Sequence, residues 1–215
     1  MRTVGLLVLL SVTGFTAAEE PKAVKYDFEE AKVGSVPKGW SVAKTGTGEG
    51  SAWAVVEEKT APKGPKVLAQ TAESPGAMFN LCVADDTAFA DVKVTVAFKA
   101  VKGEKDQGGG IVWRYADANN YYVARFNPLE DNYRLYHVVD GKRTQFGGKE
   151  ELRAKAGEWH TLTIRMVGDT ITCSLNGKVE IEAKDKTFTK AGKVGLWTKA
   201  DAQTYFDDFQ AKEAK

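Results

Sequence analysis

The sequence predicts an all-β fold in which two antiparallel sheets pack as a jelly-roll sandwich. Apolar and polar residues alternate with a period of two along most of the chain, as in 92–99 and 159–166. Turn-forming pairs separate these stretches, and Asn176-Gly177 is the strongest because both residues tolerate the positive φ of a type I′ hairpin. Only residues 150–156 suit a short helical turn. Many short strands with Gly-rich connections favour a sandwich over an α/β fold.

The same patterns predict fourteen strands. They are stretches rich in β-branched and aromatic residues, bounded by Gly, Asn, Asp or Pro. The chain shows no internal repeat and no segment of distinctly different composition, so one domain is expected. The predicted strands lie near residues 26–29, 53–58, 66–71, 77–83, 91–101, 109–116, 120–127, 132–139, 143–146, 158–167, 170–176, 178–183, 193–198 and 203–211.

The N-terminus predicts an export signal. Arg2 precedes the apolar run 4–15, and small residues then precede an acidic pair, which is the order found in signal peptides. The run is too short to span a bilayer, which takes about 20 residues; a buried N-terminal helix is the alternative. We expect a secreted or periplasmic, cell-envelope protein divided into a signal peptide at 1–18, a flexible segment at 19–25 and a single domain at 26–211.

The charge balance limits the binding partners that can be expected, and the two cysteines predict a disulfide. Lys and Arg total 30 against 29 Asp and Glu, a net charge of +1, so attraction to nucleic acid or to an anionic membrane is not expected. We expect a monomer that does not insert in a membrane. In an exported protein the pair Cys82 and Cys173 predicts a disulfide, with two buried free thiols as the alternative.

Three stretches of the chain resemble a known group of domains. Residues 108–148 contain Trp-Arg-Tyr and Asn-Asn-Tyr-Tyr, residues 157–183 contain Gly-Glu-Trp-His and Asn-Gly-Lys, and residues 191–210 contain Phe-Asp-Asp-Phe. Together they resemble concanavalin A-like and laminin-G-like jelly rolls, and are most similar to the bacterial 3-keto-disaccharide hydrolase family, which is described as family-16 glycosidase-like. The resemblance implies a sandwich with a concave face, an extracytoplasmic location and a role in glycan handling.

The residues do not supply the family-16 catalytic signature. That signature is Glu-x-Asp-x-x-Glu, and its nearest match, at 104–109, ends in Gly and lies in a polar loop. No other acid/base pair is visible from spacing. We therefore expect a non-catalytic carbohydrate-binding domain. A glycoside hydrolase or lyase acting on 3-keto or ordinary glycosides, and a structural or protein-interaction module, are the alternatives.

Alternation in the central strands predicts a glycan-binding face. Trp113, Tyr115, Tyr122 and Phe126 are expected in the core, and the alternate residues on the opposite side. Guanidinium and amide groups bond vicinal hydroxyls, and aromatic rings stack on sugars. A structural surface with its arginines paired to Glu130, Asp131 or Asp117 is the alternative, and a slip of one residue would invert the assignment. The predicted ligand-binding residues are Arg114, Tyr121, Arg125, Asn127, Arg134, Tyr136 and Trp197.

Acidic residues at both ends of the fold predict a structural calcium ion. Terminal strands of jelly rolls commonly lie side by side, which would bring Glu29 and Asp207 together as oxygen ligands. This arrangement resembles the calcium site of jelly-roll carbohydrate-binding modules. The alternative is that these edge carboxylates accept backbone N–H groups. No other cofactor is expected.

Overall fold

The computed structural model describes residues 22–215, and the signal peptide predicted at 1–18 lies outside them. Within that range the chain forms fifteen β-strands. None of the described residues belongs to a helix that could cross a bilayer. The strands are β1 Ala23–Tyr26, β2 Trp40–Thr45, β3 Trp53–Glu57, β4 Lys66–Gln70, β5 Phe79–Phe89, β6 Val92–Lys102, β7 Gly109–Asp117, β8 Asn120–Asn127, β9 Asn132–Val139, β10 Lys142–Lys149, β11 His160–Val167, β12 Thr170–Leu175, β13 Lys178–Lys184, β14 Gly192–Lys199 and β15 Gln203–Glu213.

The strands form two antiparallel sheets. The first has eight strands in the order β13-β12-β11-β6-β15-β4-β3, with β1 paired to β15. The second has seven strands in the order β10-β9-β8-β7-β14-β5-β2. The predicted all-β jelly-roll sandwich is therefore confirmed.

The core lies between the two sheets and follows the predicted alternation. Val94, Val96 and Phe98 of β6 meet Trp113 of β7 and Phe126 of β8 in one buried cluster. Burying a side chain of this size stabilises the fold by about 1.5–3 kcal/mol. The central strands are thus fixed in register by the apolar face that they share.

Three segments of the chain differ from the sequence-based expectation. Residues 23–25, expected to be flexible, belong to β1, in which Ala23 pairs with Lys212. Strand β2 was not predicted; it begins at Trp40, whose ring contacts Tyr26 and Phe209 in edge-to-face geometry. Residues 150–156 form no helix, and the Leu152 N–H bonds the Asp131 carbonyl instead.

The predicted disulfide is wrong, because both cysteines are free and buried. Cys173 on β12 lies beside Tyr133 of β9, whereas Cys82 is on β5. Strands β9 and β5 are four positions apart in the second sheet, which corresponds to about 19 Å at the usual strand spacing. A disulfide needs Cα atoms within about 7 Å. Both thiols point into the core, and the positions of their strands keep them apart.

The second sheet rolls over its own outer face. Thr45, at the end of edge strand β2, donates a hydrogen bond to the Ala118 carbonyl in the β7–β8 turn, and its hydroxyl lies 2.7 Å from that of Tyr121 on β8. In a flat sheet, β2 and β8 would be about 19 Å apart. Strand twist brings these two corners together. We call this pair of contacts the Thr45 latch.

Candidate functional site

The outer face of the second sheet carries a second apolar cluster. Its members lie on the side opposite the sandwich core, and all fifteen described strands belong to the two sheets, so no third layer of strands covers them. We call this cluster, together with Arg143, the rolled face. Its apolar members are Phe79, Leu81, Val83, Val112, Tyr121, Val123, Tyr136, Val138 and Trp197.

The predicted alternation is correct for six of the seven expected site residues, and Arg114 is the exception. Tyr121, Tyr136 and Trp197 lie on the rolled face, while Tyr122 and Leu196 point into the core. The expectation of an open hollow is wrong, however, because Tyr121 and Trp197 are fully buried. The rolling of the sheet encloses them, and alternation alone does not predict that curvature.

Arg143 is the cation at the centre of the rolled face. Its guanidinium carbon lies 4.3 Å from the ring centroid of Tyr136, 4.9 Å from Phe79 and 5.7 Å from Trp197. These are distances at which a cation interacts favourably with aromatic rings. Burial lowers the pKa of Arg143, because desolvation disfavours the charged form. No carboxylate among the described residues lies within salt-bridge distance of it.

Three buried nitrogen donors on this side of the second sheet, two in the rolled face and one beside it, have no hydrogen-bond partner among the described residues. They are Nη1 of Arg143, Nε of Arg125 and Nε1 of Trp197. The Trp197 indole approaches the Tyr121 hydroxyl without reaching hydrogen-bond geometry. An unsatisfied buried donor typically costs about 1–3 kcal/mol. Three of the seven buried side-chain polar atoms that lack a partner among the described residues thus lie on this side of the second sheet.

A polar cluster adjoins the rolled face where β14 ends. Arg125 is buried; its Nη1 lies 3.2 Å from Asp106, and its Nη2 lies 2.7 Å from both Glu130 and Asn132. Asn127 is also buried and donates to Asp106. The structure thus contains the ion pairing to Glu130 that the sequence left open as the alternative for Arg125.

Burial raises and ion pairing lowers the pKa of each of the two carboxyl groups in this cluster, Asp106 and Glu130. Burial raises the pKa of Asp106 despite the charges of Arg125 and Lys199, whose Nζ lies 3.7 Å away. Burial also opposes ionisation of Glu130, but the hydrogen bond and charge of Arg125 outweigh it and lower the pKa of Glu130 to about 2. The pKa shifts of the two carboxyl groups are therefore opposite in direction, upward for Asp106 and downward for Glu130.

Arg134 lies at the rim of this cluster. It is partly exposed and pairs with two acids, its Nε lying 2.9 Å from Glu150 and its Nη1 3.5 Å from Glu130. Its side chain is therefore neutralised at the surface.

Arg114 does not lie on the rolled face. It has a φ of 45°, and the pairing of β7 with β8 shifts register just beyond it. This bulge turns the side chain towards the opposite end of the sandwich, where it donates to the carbonyls of Ala90, Phe188 and Gly168. The bulge also moves Tyr115, expected in the core, to the edge of the rolled face beside Tyr121. A bulge inverts alternation beyond it, which explains both errors.

A cleft opens at the same end of the sandwich as the polar cluster. Its volume is about 520 Å³, and Lys105 and Asp201 are among its lining residues. The Asp201 carboxylate accepts the backbone N–H groups of Glu104, Lys105 and Asp106, which fixes the loop that carries Asp106. The cleft thus lies against the loop that precedes Asp106.

Glu29 and Asp207 come close together, as predicted for a calcium site. The negative charge of Glu29 contributes to the raised pKa of Asp207. Each carboxylate accepts a backbone N–H, from Lys66 and Lys63 respectively. The described residues contain no group of three or more His, Cys, Asp or Glu side chains suited to a metal. Calcium binding stays a prediction.

The sequence interpretation missed four residues of this region: Phe79, Asp106, Arg143 and Lys199. A signal for Arg143 was present. Pairing outward from the Asp140-Gly141 turn places Arg143 opposite Val138 and therefore on the same face as Tyr136. Lys199 similarly shares the parity of Trp197 along β14. Asp106 lies in a loop, where alternation carries no information.

The chain matches one family model and many solved structures. The model described as 3-keto-alpha-glucoside-1,2-lyase-like domain matches residues 28–212. No curated protein sequence matches significantly. A carbohydrate binding module, CBM66 from Bacillus subtilis, aligns with a TM-score of 0.64 at 16% identity over 81% of this chain and 96% of its own.

Two further structures extend this likeness. A Bacillus licheniformis beta-glucanase aligns with a TM-score of 0.60 at 12% identity over 90% of this chain and 98% of its own. The VIP36 exoplasmic/lumenal domain, in a form with calcium and mannose bound, aligns with a TM-score of 0.59 at 10% identity over 91% and 92%. At such low identities these alignments establish the fold alone.

Proposed function

The chain belongs to the 3-keto-alpha-glucoside-1,2-lyase-like family, and we propose that it is an exported glycan-binding domain whose sugar site is the rolled face. The export part of the proposal rests on the apolar segment 4–15. The binding part rests on the chemistry of the rolled face. Similarity in fold to a carbohydrate binding module and to a beta-glucanase is consistent with it.

The observation that carries the proposal is the group of three unpartnered donors among aromatic rings. Sugars offer the matching features, because their hydroxyl oxygens accept hydrogen bonds and their C–H faces stack on aromatic rings. Each donor that gains an acceptor recovers the free energy lost by leaving it unpaired. The rolled face therefore favours a ligand that is both hydroxylated and flat on one side.

Access to these donors requires movement of the sheet edge. Thr45 holds the end of β2 against Ala118 and Tyr121, and Tyr121 and Trp197 are fully buried behind it. We expect the Thr45 latch to release as a sugar binds. Hydrogen bonds gained by the ligand would offset those lost at the latch.

A matched pair of tryptophan variants tests the proposal. Trp197→Phe removes one unpartnered donor and part of a ring from the rolled face. Trp53→Phe removes another buried and unpartnered indole, which packs on Phe206 in the core. In isothermal titration against a panel of neutral and acidic polysaccharides, we expect only Trp197→Phe to weaken binding, by about tenfold. Equal affinities of both variants and the wild type would overturn the site.

A second candidate function is lyase activity on 3-keto glycosides, and the raised pKa of Asp106 favours it. A 1,2-elimination removes the C2 proton, which the neighbouring carbonyl acidifies, and expels the C1 oxygen, which needs a proton. A buried carboxyl beside Lys199 and Arg125 suits such proton transfer. Incubation with a 3-keto-α-glucoside, followed by mass spectrometry, tests this candidate. Turnover that Asp106→Asn abolishes would establish catalysis, and absence of turnover would leave binding alone.

A further inference from the structure

The charges around the rolled face are unevenly compensated. Arg125 pairs with Asp106 and Glu130, and Lys199 pairs with Asp106. Arg134, at the rim, pairs with Glu130 and Glu150. Arg143 is the one cation among these four for which the described residues supply no carboxylate within 4.0 Å. An excess positive charge is therefore concentrated at the most aromatic part of the face.

The Arg143 side chain is partly buried and has no carboxylate counter-ion among the described residues, which is unfavourable for its charge. The rings of Tyr136, Phe79 and Trp197 compensate part of the lost hydration, but Arg143 Nη1 remains a buried donor with nothing to donate to. Proteins retain buried charges chiefly where they are paired or where they bind something. The guanidinium has the planar geometry that matches a carboxylate.

Two fully buried groups beside Arg143 distinguish this region from a single cation on the protein surface. Trp197 Nε1 and Arg125 Nε are also unpartnered, and both side chains are buried. Arg125 lies near enough to Arg143 for its charge to lower the pKa of Arg143. An anion bound at Arg143 would relieve this repulsion as well as satisfy Nη1.

We propose, on the basis of the sugar site described above, that its ligand is an acidic glycan, in which the carboxylate of a uronic acid residue binds the Arg143 guanidinium. The sugar ring lies against Trp197 and Tyr136, and its hydroxyl oxygens accept from Trp197 Nε1 and Arg125 Nε. Neutral glycans fill the same face but leave the charge of Arg143 without a partner.

Matched pairs of polymers test this assignment. Glucuronate-, galacturonate- and mannuronate-containing polysaccharides are each compared with their carboxyl-reduced form, which keeps the linkages and removes the charge. For at least one pair, we expect titration calorimetry to give about tenfold tighter binding of the acid, as a charge-assisted hydrogen bond provides. High salt should reduce that preference.

Arg143→Gln is the decisive variant, with Arg153→Gln as its control because Arg153 is an exposed arginine on the surface. We expect Arg143→Gln to bind the acid and its reduced form about equally and Arg153→Gln to keep the preference. Circular dichroism would verify that both variants fold. A preference that survives Arg143→Gln would overturn the assignment.

The remaining outcomes separate this inference from the function on which it rests. Equal binding of acidic and reduced polymers by the wild type would overturn the acidic ligand while supporting the sugar site. Absence of binding to every acidic and neutral polymer would count against both.

Discussion

The Asp106 carboxylate and the Arg125 guanidinium form an ion pair, 3.2 Å apart, in which neither side chain is exposed to solvent beyond 2%. Asp106 also accepts the Gly108 N–H and an amide N–H of Asn127. This one carboxyl therefore holds together the loop before β7, strand β8 and the polar end of the rolled face.

Removing that carboxyl should destabilise the fold. We expect Asp106→Ala to lower the free energy of unfolding by about 3 kcal/mol, because it leaves a buried guanidinium short of a partner. Asp106→Asn should cost less, since burial already raises the pKa of Asp106 and the amide oxygen can still accept from Gly108. Urea denaturation measures both. Asp131→Asn, at a surface pair with Arg153, is the control and should change stability by less than about 0.5 kcal/mol.

Asp207 should make stability depend on pH. Burial raises its pKa from 3.8 to about 6, and the charges of Asp208 and Glu29 add to this effect. Between these values the folded chain keeps the Asp207 proton and the unfolded chain releases it. The stability from this group is therefore present at low pH and is lost as pH rises towards about 6.

Asp207→Asn isolates this effect. In thermal unfolding from pH 4 to pH 7, we expect the wild type to lose stability relative to the variant as pH rises, with the difference levelling off above about pH 6. A difference that is constant across the range would contradict the raised pKa.

Both thiols should be unreactive in the folded protein. Cys82 and Cys173 are buried and free, and burial raises the pKa of each, so little nucleophilic thiolate is present. We expect Ellman's reagent to detect no thiol in the native protein and two per chain after denaturation without reductant. Detection of fewer than two thiols per chain after denaturation would instead support the predicted disulfide.

Arg114 should matter for stability and not for binding. Its guanidinium donates to the carbonyls of Ala90, Phe188 and Gly168, so Arg114→Ala leaves several acceptors short of a donor. We expect a loss of about 3 kcal/mol in urea denaturation. Glycan affinity measured well below the melting temperature should be unchanged. A selective loss of affinity would return Arg114 to the binding site.

The Thr45 latch should limit the rate of ligand binding. Thr45→Val keeps the shape of the side chain and removes its hydrogen bonds to Ala118 and Tyr121. We expect stability to fall by about 1 kcal/mol and glycan association, followed by stopped-flow fluorescence, to become faster. Thr95→Val removes a side-chain hydrogen bond to Thr163 on the first sheet and should leave association unchanged. Slower association in Thr45→Val would contradict a gating role.

The sequence predicted the features that depend on local alternation. Period-two patterning gives the strands, and it separates Tyr121 and Trp197 from Tyr122 and Leu196 correctly because regular strands expose alternate residues to opposite faces. It fails at Arg114, where a bulge with positive φ reverses the order. Nothing local predicts such a bulge at an arginine.

The enclosure of the rolled face was beyond sequence reasoning for a different reason. It depends on contacts between residues distant in sequence, such as Thr45 with Ala118 and Arg143 with Phe79. These contacts follow from the twist accumulated over seven strands. Residues were thus assigned to the correct side of the sheet, but the closing of that side into a buried cluster could not be predicted.

The pairing of β1 with β15 makes this domain suitable for circular permutation. Because Ala23 lies opposite Lys212, a short glycine-serine linker could join the end of β15 to the start of β1. New termini could then be opened among the exposed residues 155–158. Such a circular permutant keeps both sheets intact and should fold, and it would move the free ends of the chain to a different part of the surface.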